Sequence, residues 1–142
     1  VRRSRADGRE AVEGGRPSTL TTTCGGDWGR LTVPDVVDAA RAGDGVARDA
    51  LAETGRYLGI GLANLINALN PERVVLGGAL CQGHAFLMPS LTAEVERRAL
   101  RASRDKTEIV VATYGTEASV MGGVASIFHR ILSQPLEVTR AR

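Results

Sequence analysis

Two short apolar runs, Arg73-Val74-Val75-Leu76 and Glu108 to Thr113, bracket an amphipathic helical pattern, and this arrangement constrains the fold more than anything else in the chain. Between the runs, Leu87, Leu91 and Val95 recur on one helical face, with Glu94, Arg97, Arg98 and Arg101 outward. Strand, helix, strand in that order is a βαβ unit, so the two strands are expected to lie parallel, joined by a right-handed crossover. Parallel strands are normally buried on both faces inside a larger sheet, and Ile109, Val110 and Val111 are apolar on both faces. Two strands do not make such a sheet. The pattern therefore predicts part of an α/β layer that calls for polypeptide this chain does not supply.

Helical signals precede the first run. Thr32 is placed to cap a helix, with Pro34 and Asp35 in its first turn, where a missing N–H and a negative charge are both tolerated. Val33, Val36, Val37 and Ala40 give that helix an apolar face, and Gly43 stops it. Asp44 caps the next helix, which runs to the Asn70-Pro71 break with a core stripe of Leu51, Leu58, Leu62, Leu65 and Leu69. At about 1.5 Å per residue it spans roughly 35–40 Å. Gly55, Gly59 and Gly61 inside it cost about 1 kcal/mol each relative to alanine, so their presence points to another backbone packed close by. Gly55 and Gly59 share a face suited to a helix–helix or subunit contact. After the second run, Thr116 caps a last helix carrying Val120, Met121, Val124, Ile127, Phe128 and Ile131, closed by Pro135. Residues 1–30 show no period, and Gly14-Gly15 and Gly25-Gly26 interrupt any element. The expected division is an irregular or disordered segment, 1–30, and a folded lobe, 31–142.

The 142 residues amount to about one domain. A formal charge of +2 is too small to argue for a nucleic-acid surface, and the arginines near both ends read as solvated. Two cysteines far apart in sequence, Cys24 and Cys81, make no disulfide framework and fit a reducing compartment. No apolar run follows the basic start, so no signal peptide is read there. The longest apolar-rich stretch, Tyr57 to Leu69, is shorter than a membrane span. A cytoplasmic protein without membrane contact is expected.

The best candidate for ligand contact is Gly77-Gly78, at the C-terminal end of the first strand. Ligands of open α/β sheets bind beyond the carboxyl ends of strands, and residues without Cβ atoms let a ribose or phosphate approach the backbone. A plain strand-to-loop turn is the simpler reading of the same dipeptide. Cys81 and His84 have Cys-x-x-His spacing but no partner pair, so they read as loop residues rather than metal ligands. Asn64 and Asn67 could face a ligand or a neighbouring helix, with hydrogen bonding to backbone the favoured reading. His129 reads as a helix-edge residue, and Met121 and Phe128 as core.

Four segments in unbroken order carry a family resemblance. Leu31 to Asp44, then Gly55-Arg56-Tyr57-Leu58-Gly59 with Leu62 to Asn67, then Asn70-Pro71 through Gly78, and finally Tyr114 to Ala118 with Met121 to Ala125, resemble the ROK family of repressors and sugar kinases. The resemblance implies the C-terminal lobe of an actin-like ATPase (ribonuclease H-like) sugar-kinase fold: α/β, with an incomplete parallel sheet and helices. It further implies a sugar shared with an N-terminal lobe, and ATP with Mg lying against this one in a kinase. Gly77 and Gly78 would then fall in the turn that contacts adenosine. The family's Asp-x-Gly-x-Thr phosphate loop, its Asn-Asp pair bearing the general base and its Glu-x-Gly-His sugar motif have no match in this sequence, so no catalytic residue is assigned. Its zinc cluster is matched by Cys24-Gly25-Gly26 alone, and no zinc is expected. Gly8-Arg9-Glu10-Ala11-Val12 is faintly similar to the end of that cluster, which would make Glu10 a sugar contact.

Three readings follow. The favoured one is the sugar-sensing, dimerising portion of a transcriptional repressor that touches DNA only through a further N-terminal domain. The second is the nucleotide-side portion of an ATP-dependent hexose kinase, glucokinase-like. The third is an inactive, truncated remnant. Self-association through the Gly55/Gly59 face and the unpaired sheet edges is expected.

Overall fold

The structure is a computed structural model and describes Val12 and residues 15–112. Thr113, the helix expected from Thr116, His129 and Glu10 lie outside the described residues.

Local sequence chemistry sets the first helices. Thr32 and Asp35 form a reciprocal capping box: the Thr32 hydroxyl accepts from the Asp35 N–H, and the Asp35 carboxylate accepts from the Thr32 N–H at 2.8 Å. The hydroxyl and N–H of Thr32 hold the Asp35 carboxyl below its ordinary range. From this box runs α2, Val33–Arg41, which buries Val36, Val37, Ala39 and Ala40 and ends at Gly43, whose φ of +98° favours glycine. Thr32→Ala should lower unfolding stability by about 1 kcal/mol. Urea titration checks this, and an unchanged midpoint would remove the box from the account.

The Asp44 carboxylate accepts from the Ala47 N–H at 3.0 Å and opens α3, Gly45–Leu69, a helix of 25 residues. Asn70 closes it in the left-handed region, with its N–H bonded to the Ile66 carbonyl. The sheet is formed by β1, Arg73–Leu76, and β2, Glu108–Val111. They pair in parallel, with Arg73 opposite Glu108 and Leu76 opposite Val111, as the βαβ pattern requires. An Arg73–Glu108 ion pair of 2.8 Å crosses the first register position, and the Thr107 hydroxyl donates to the Pro71 carbonyl, tying the two strand entries together. The crossover is α4, His84–Arg98, followed by a short α5, Arg101–Arg104.

Helices α3 and α4 cover one face of the sheet, where Leu62, Ile66, Leu91 and Val95 pack against Val74, Leu76 and Ile109. The expectation of burial on both faces holds on this side alone among the described residues: Val75 is 58% exposed. A second cluster joins α2, the first half of α3 and Leu87.

Five expectations need correction. The buried face of α3 is not the leucine stripe. Leu51 and Leu62 are buried, but Leu58 and Leu65 are exposed and Leu69 is 70% exposed. Burial instead follows Gly55, Gly59, Ala63 and Ile66, because α4 sits where the helix has no side chains to hold it off. A Cβ on Gly55 would collide with the Leu87 carbonyl oxygen, and one on Gly59 would lie 2.5 Å from that of Leu91. The Gly55/Gly59 face is therefore occupied within the chain, not free for a subunit.

Glu94, expected outward, is 8% exposed. Arg98 at 2.6 Å and Arg97 at 2.7 Å pair with it, and these two partners, outweighing desolvation, lower its pKa. Arg101 belongs to α5 rather than to α4. Finally, within 1–30 the chain is not irregular throughout: α1, Leu20–Cys24, and a 3-10 turn, Trp28–Arg30, are present, with Leu20 2% and Cys24 3% exposed. A single turn of helix is too short for a periodic signal, so its two core residues were not legible as such.

Candidate functional site

The carboxyl ends of β1 and β2 meet at Leu76 and Val111, where the Ala112 N–H donates to the Leu76 carbonyl at 2.8 Å. Gly77 and Gly78 follow directly. Gly78 has φ +84° and ψ −171°, a conformation strained for any residue with a Cβ. Among the described residues, a Cβ built on either glycine would meet nothing within 4 Å. The turn therefore presents bare backbone to open space at the strand ends. The chain then enters a 3-10 helix, Ala79–Gly83, whose last residue is buried with Val37 3.0 Å from where its Cβ would stand.

Beside the turn lies an apolar cavity of about 90 Å³, whose walls include Leu58, Leu76, Gly77, Leu80, Leu91 and Val111. Cys81 and His84 supply its polar atoms. The Cys81 thiol donates to the Leu76 carbonyl at 3.0 Å, and His84 Nδ1 lies 2.9 Å from the Cys81 carbonyl. A carbonyl only accepts, so in that bond His84 donates through its Nδ1–H. Pockets that enclose a small ligand usually run to about 300–1,000 Å³. This cavity, at about 90 Å³, is too small by itself to enclose a nucleotide.

The glycine pair is visible in the sequence, and the cavity beside it is not. Cys81 and His84 were read as loop residues, yet the 3-10 turn brings them beside Gly77 with Leu58 from the long helix. No spacing rule could have joined residues 58, 77 and 84, because α3, β1 and α4 meet only in three dimensions. Asn67 does bond to backbone: its side-chain amide donates to the Arg98 carbonyl at 3.2 Å, and its oxygen accepts from the Leu100 N–H at 2.7 Å. That fastens α3 to the end of α4. Cys24 is a core residue with its thiol turned to the Thr21 carbonyl. Among the described residues no three His, Cys, Asp or Glu side chains converge as metal ligands would, and no helix is long and apolar enough to cross a membrane. Glu10 lies outside the described residues.

A family model described as "ROK family" matches residues 19–130. The glucokinase of Halalkalibacterium halodurans is 40% identical over 95 residues, which are 67% of this chain and 29% of that protein. The xylose repressor of Bacillus subtilis is 30% identical over 93 residues, 66% of this chain and 24% of the repressor. A solved ROK family transcriptional regulator, described as a homolog of the Escherichia coli MLC protein, superposes with a TM-score of 0.67 at 30% identity over 76% of this chain and 26% of its own. The chain spans less than a third of the length of each of these proteins.

Proposed function

Because this chain belongs to the ROK family, we propose that it forms the sugar-sensing and dimerising portion of a transcriptional repressor with an actin-like ATPase fold. The observation that carries this reading is the likeness to the solved ROK transcriptional regulator over three quarters of the chain, supported by the similarity to a xylose repressor. In this reading a sugar is held between this lobe and an N-terminal lobe, and DNA is contacted by a further N-terminal domain. A homo-oligomer, in turn, uses a surface other than the occupied Gly55/Gly59 face.

A second reading is favoured by one observation, the open Gly77-Gly78 turn beside an apolar cavity at the strand ends, together with 40% identity to a glucokinase. There the chain is the nucleotide-side portion of an ATP-dependent hexose kinase. The backbone of Gly77 and Gly78 would lie against adenosine, and ATP with Mg would supply the phosphoryl group.

The two readings part on the coding sequence ahead of Val1. A helix-turn-helix ahead of a sugar lobe supports the repressor. An intact Asp-x-Gly-x-Thr loop followed by an Asn-Asp pair supports the kinase. Under either reading the chain incubated with labelled ATP and D-glucose, other hexoses or the pentose D-xylose is expected to form no labelled sugar phosphate, because it carries neither the phosphate loop nor the general base; robust turnover would overturn the assignment of no catalytic residue.

A further inference from the structure

The segment ahead of α2 is fastened to the lobe at one carboxylate. Asp44 Oδ2 accepts from three donors: the Ser18 hydroxyl at 2.9 Å, the Thr19 hydroxyl at 2.8 Å and the Thr19 N–H at 2.6 Å. Its other oxygen, Oδ1, is engaged with the Ala47 N–H. The two oxygens thus divide two tasks, one capping α3 and the other holding the segment that contains α1. Arg16 adds an ion pair of 2.7 Å with Asp49, but both side chains are at least half exposed, so water screens it heavily.

The bonds internal to the segment are local and short in span, such as that from the Thr23 hydroxyl to the Thr19 carbonyl at 3.1 Å. Five residues of helix are far below the length at which a helix holds itself together. Thr19 at the N-cap position caps no N–H of α1, since its hydroxyl is given to Asp44, and the Leu20 N–H is accepted instead by the Ser18 hydroxyl at 3.2 Å. Glycines in the left-handed region flank it on both sides: Gly15 at φ +86°, and Gly25 and Gly26 at +57° and +85°. Each has open space where a Cβ would stand, so the chain can pivot at both ends without a steric collision. What the segment buries is Leu20 and Cys24, set into the cluster of Leu31, Val37, Ala40 and Leu51.

We propose that residues 16–24 are a hinged strap that leaves and rejoins the lobe as a unit, with the Asp44 carboxylate as its catch. The strap is thereby coupled, through the same carboxylate, to the N-terminus of the 25-residue helix α3. If Glu10 contacts sugar, the strap is the route by which occupancy reaches the lobe; that consequence rests on the sensor reading, whereas the strap does not.

Amide hydrogen exchange on the full chain tests it. The Thr22, Thr23 and Gly25 amides report the strap through their bonds to the Thr19 and Thr22 carbonyls, and the Asn70 and Ala99 amides report the lobe. The variant S18A/T19V removes both hydroxyl donors and leaves the bond from the Ala47 N–H to Asp44 in place. In it the strap amides should exchange about tenfold faster or more, while the lobe amides change by no more than about twofold. Emission from Trp28, the sole tryptophan, packed at the same cluster, should shift to the red in parallel. D44N should give the same strap pattern. Equal acceleration of strap and lobe, or an unchanged strap, overturns the proposal. No sugar is present in the measurement, so its failure leaves the repressor reading standing, and failure of that reading leaves the strap standing.

Discussion

Gly55→Ala should lower unfolding stability by about 2–3 kcal/mol, while Gly61→Ala in the same helix should raise it by about 0.5–1 kcal/mol. In an unconstrained helix both changes are favourable, because alanine has less backbone freedom to lose. At Gly61 a Cβ meets nothing within 4 Å, so that gain is realised. At Gly55 the Cβ collides with the Leu87 carbonyl oxygen and lies 3.0 Å from the Leu87 Cα. Those are backbone atoms and cannot rotate aside. Helix α4 must move outward, loosening Leu91 and Val95 from Leu62 and Ile66. Overpacking of this kind typically costs about 1–3 kcal/mol, occasionally more, and it exceeds the propensity gain. Urea midpoints of the two variants measure both signs. If Gly55→Ala is as stable as the parent, the close approach of α3 and α4 is not real.

Asp44→Ala should cost about 2–3 kcal/mol, more than an ordinary cap, because it removes both the cap of α3 and the catch of the strap. The carboxyl has a pH signature. Desolvation, the largest single influence, works against its ionisation. The N–H groups of Ala47 and Thr19 and the hydroxyls of Thr19 and Ser18 together outweigh it and hold its pKa at about 2. A folded pKa below the unfolded one, about 3.9, means stability that is fully present above the unfolded value. It is lost as pH falls toward the folded one. With screening by water at this half-buried site, it amounts to about 1–2 kcal/mol. Stability of the parent should therefore decline between about pH 5 and pH 2 more steeply than that of Asp44→Asn, which keeps a capping oxygen but cannot titrate. Parallel acid profiles for the two proteins would show that the three donors on Oδ2 contribute little.

Much of this architecture was legible in one dimension. The capping box, Asp44 at the head of α3 and the Asn70-Pro71 stop are local: each joins residues a few positions apart, and the side chain itself supplies the partner of a free backbone group. The parallel pairing of β1 and β2 was legible too, since an amphipathic helix between two short apolar runs leaves little other choice. The Gly77-Gly78 turn was visible as a dipeptide, and the left-handed backbone of Gly78 is what makes glycine necessary there.

Local chemistry along the chain thus settles the caps of α2 and α3, the stop of α3 and which two runs pair, though not the short helices α1 and α5. Which face of α3 lies inside depends on packing in three dimensions. Periodicity weights large apolar side chains and centred burial on the leucines, whereas the closest packing occurs where side chains are absent, at Gly55 and Gly59, and turns Leu58, Leu65 and Leu69 outward. The same holds for Glu94, buried because two arginines on its own helix neutralise it, and for Asp44, whose second oxygen meets Ser18 and Thr19 across 25 or more positions of chain. Such contacts depend on how elements are set against one another. A reading of spacing along the chain contains no information about that.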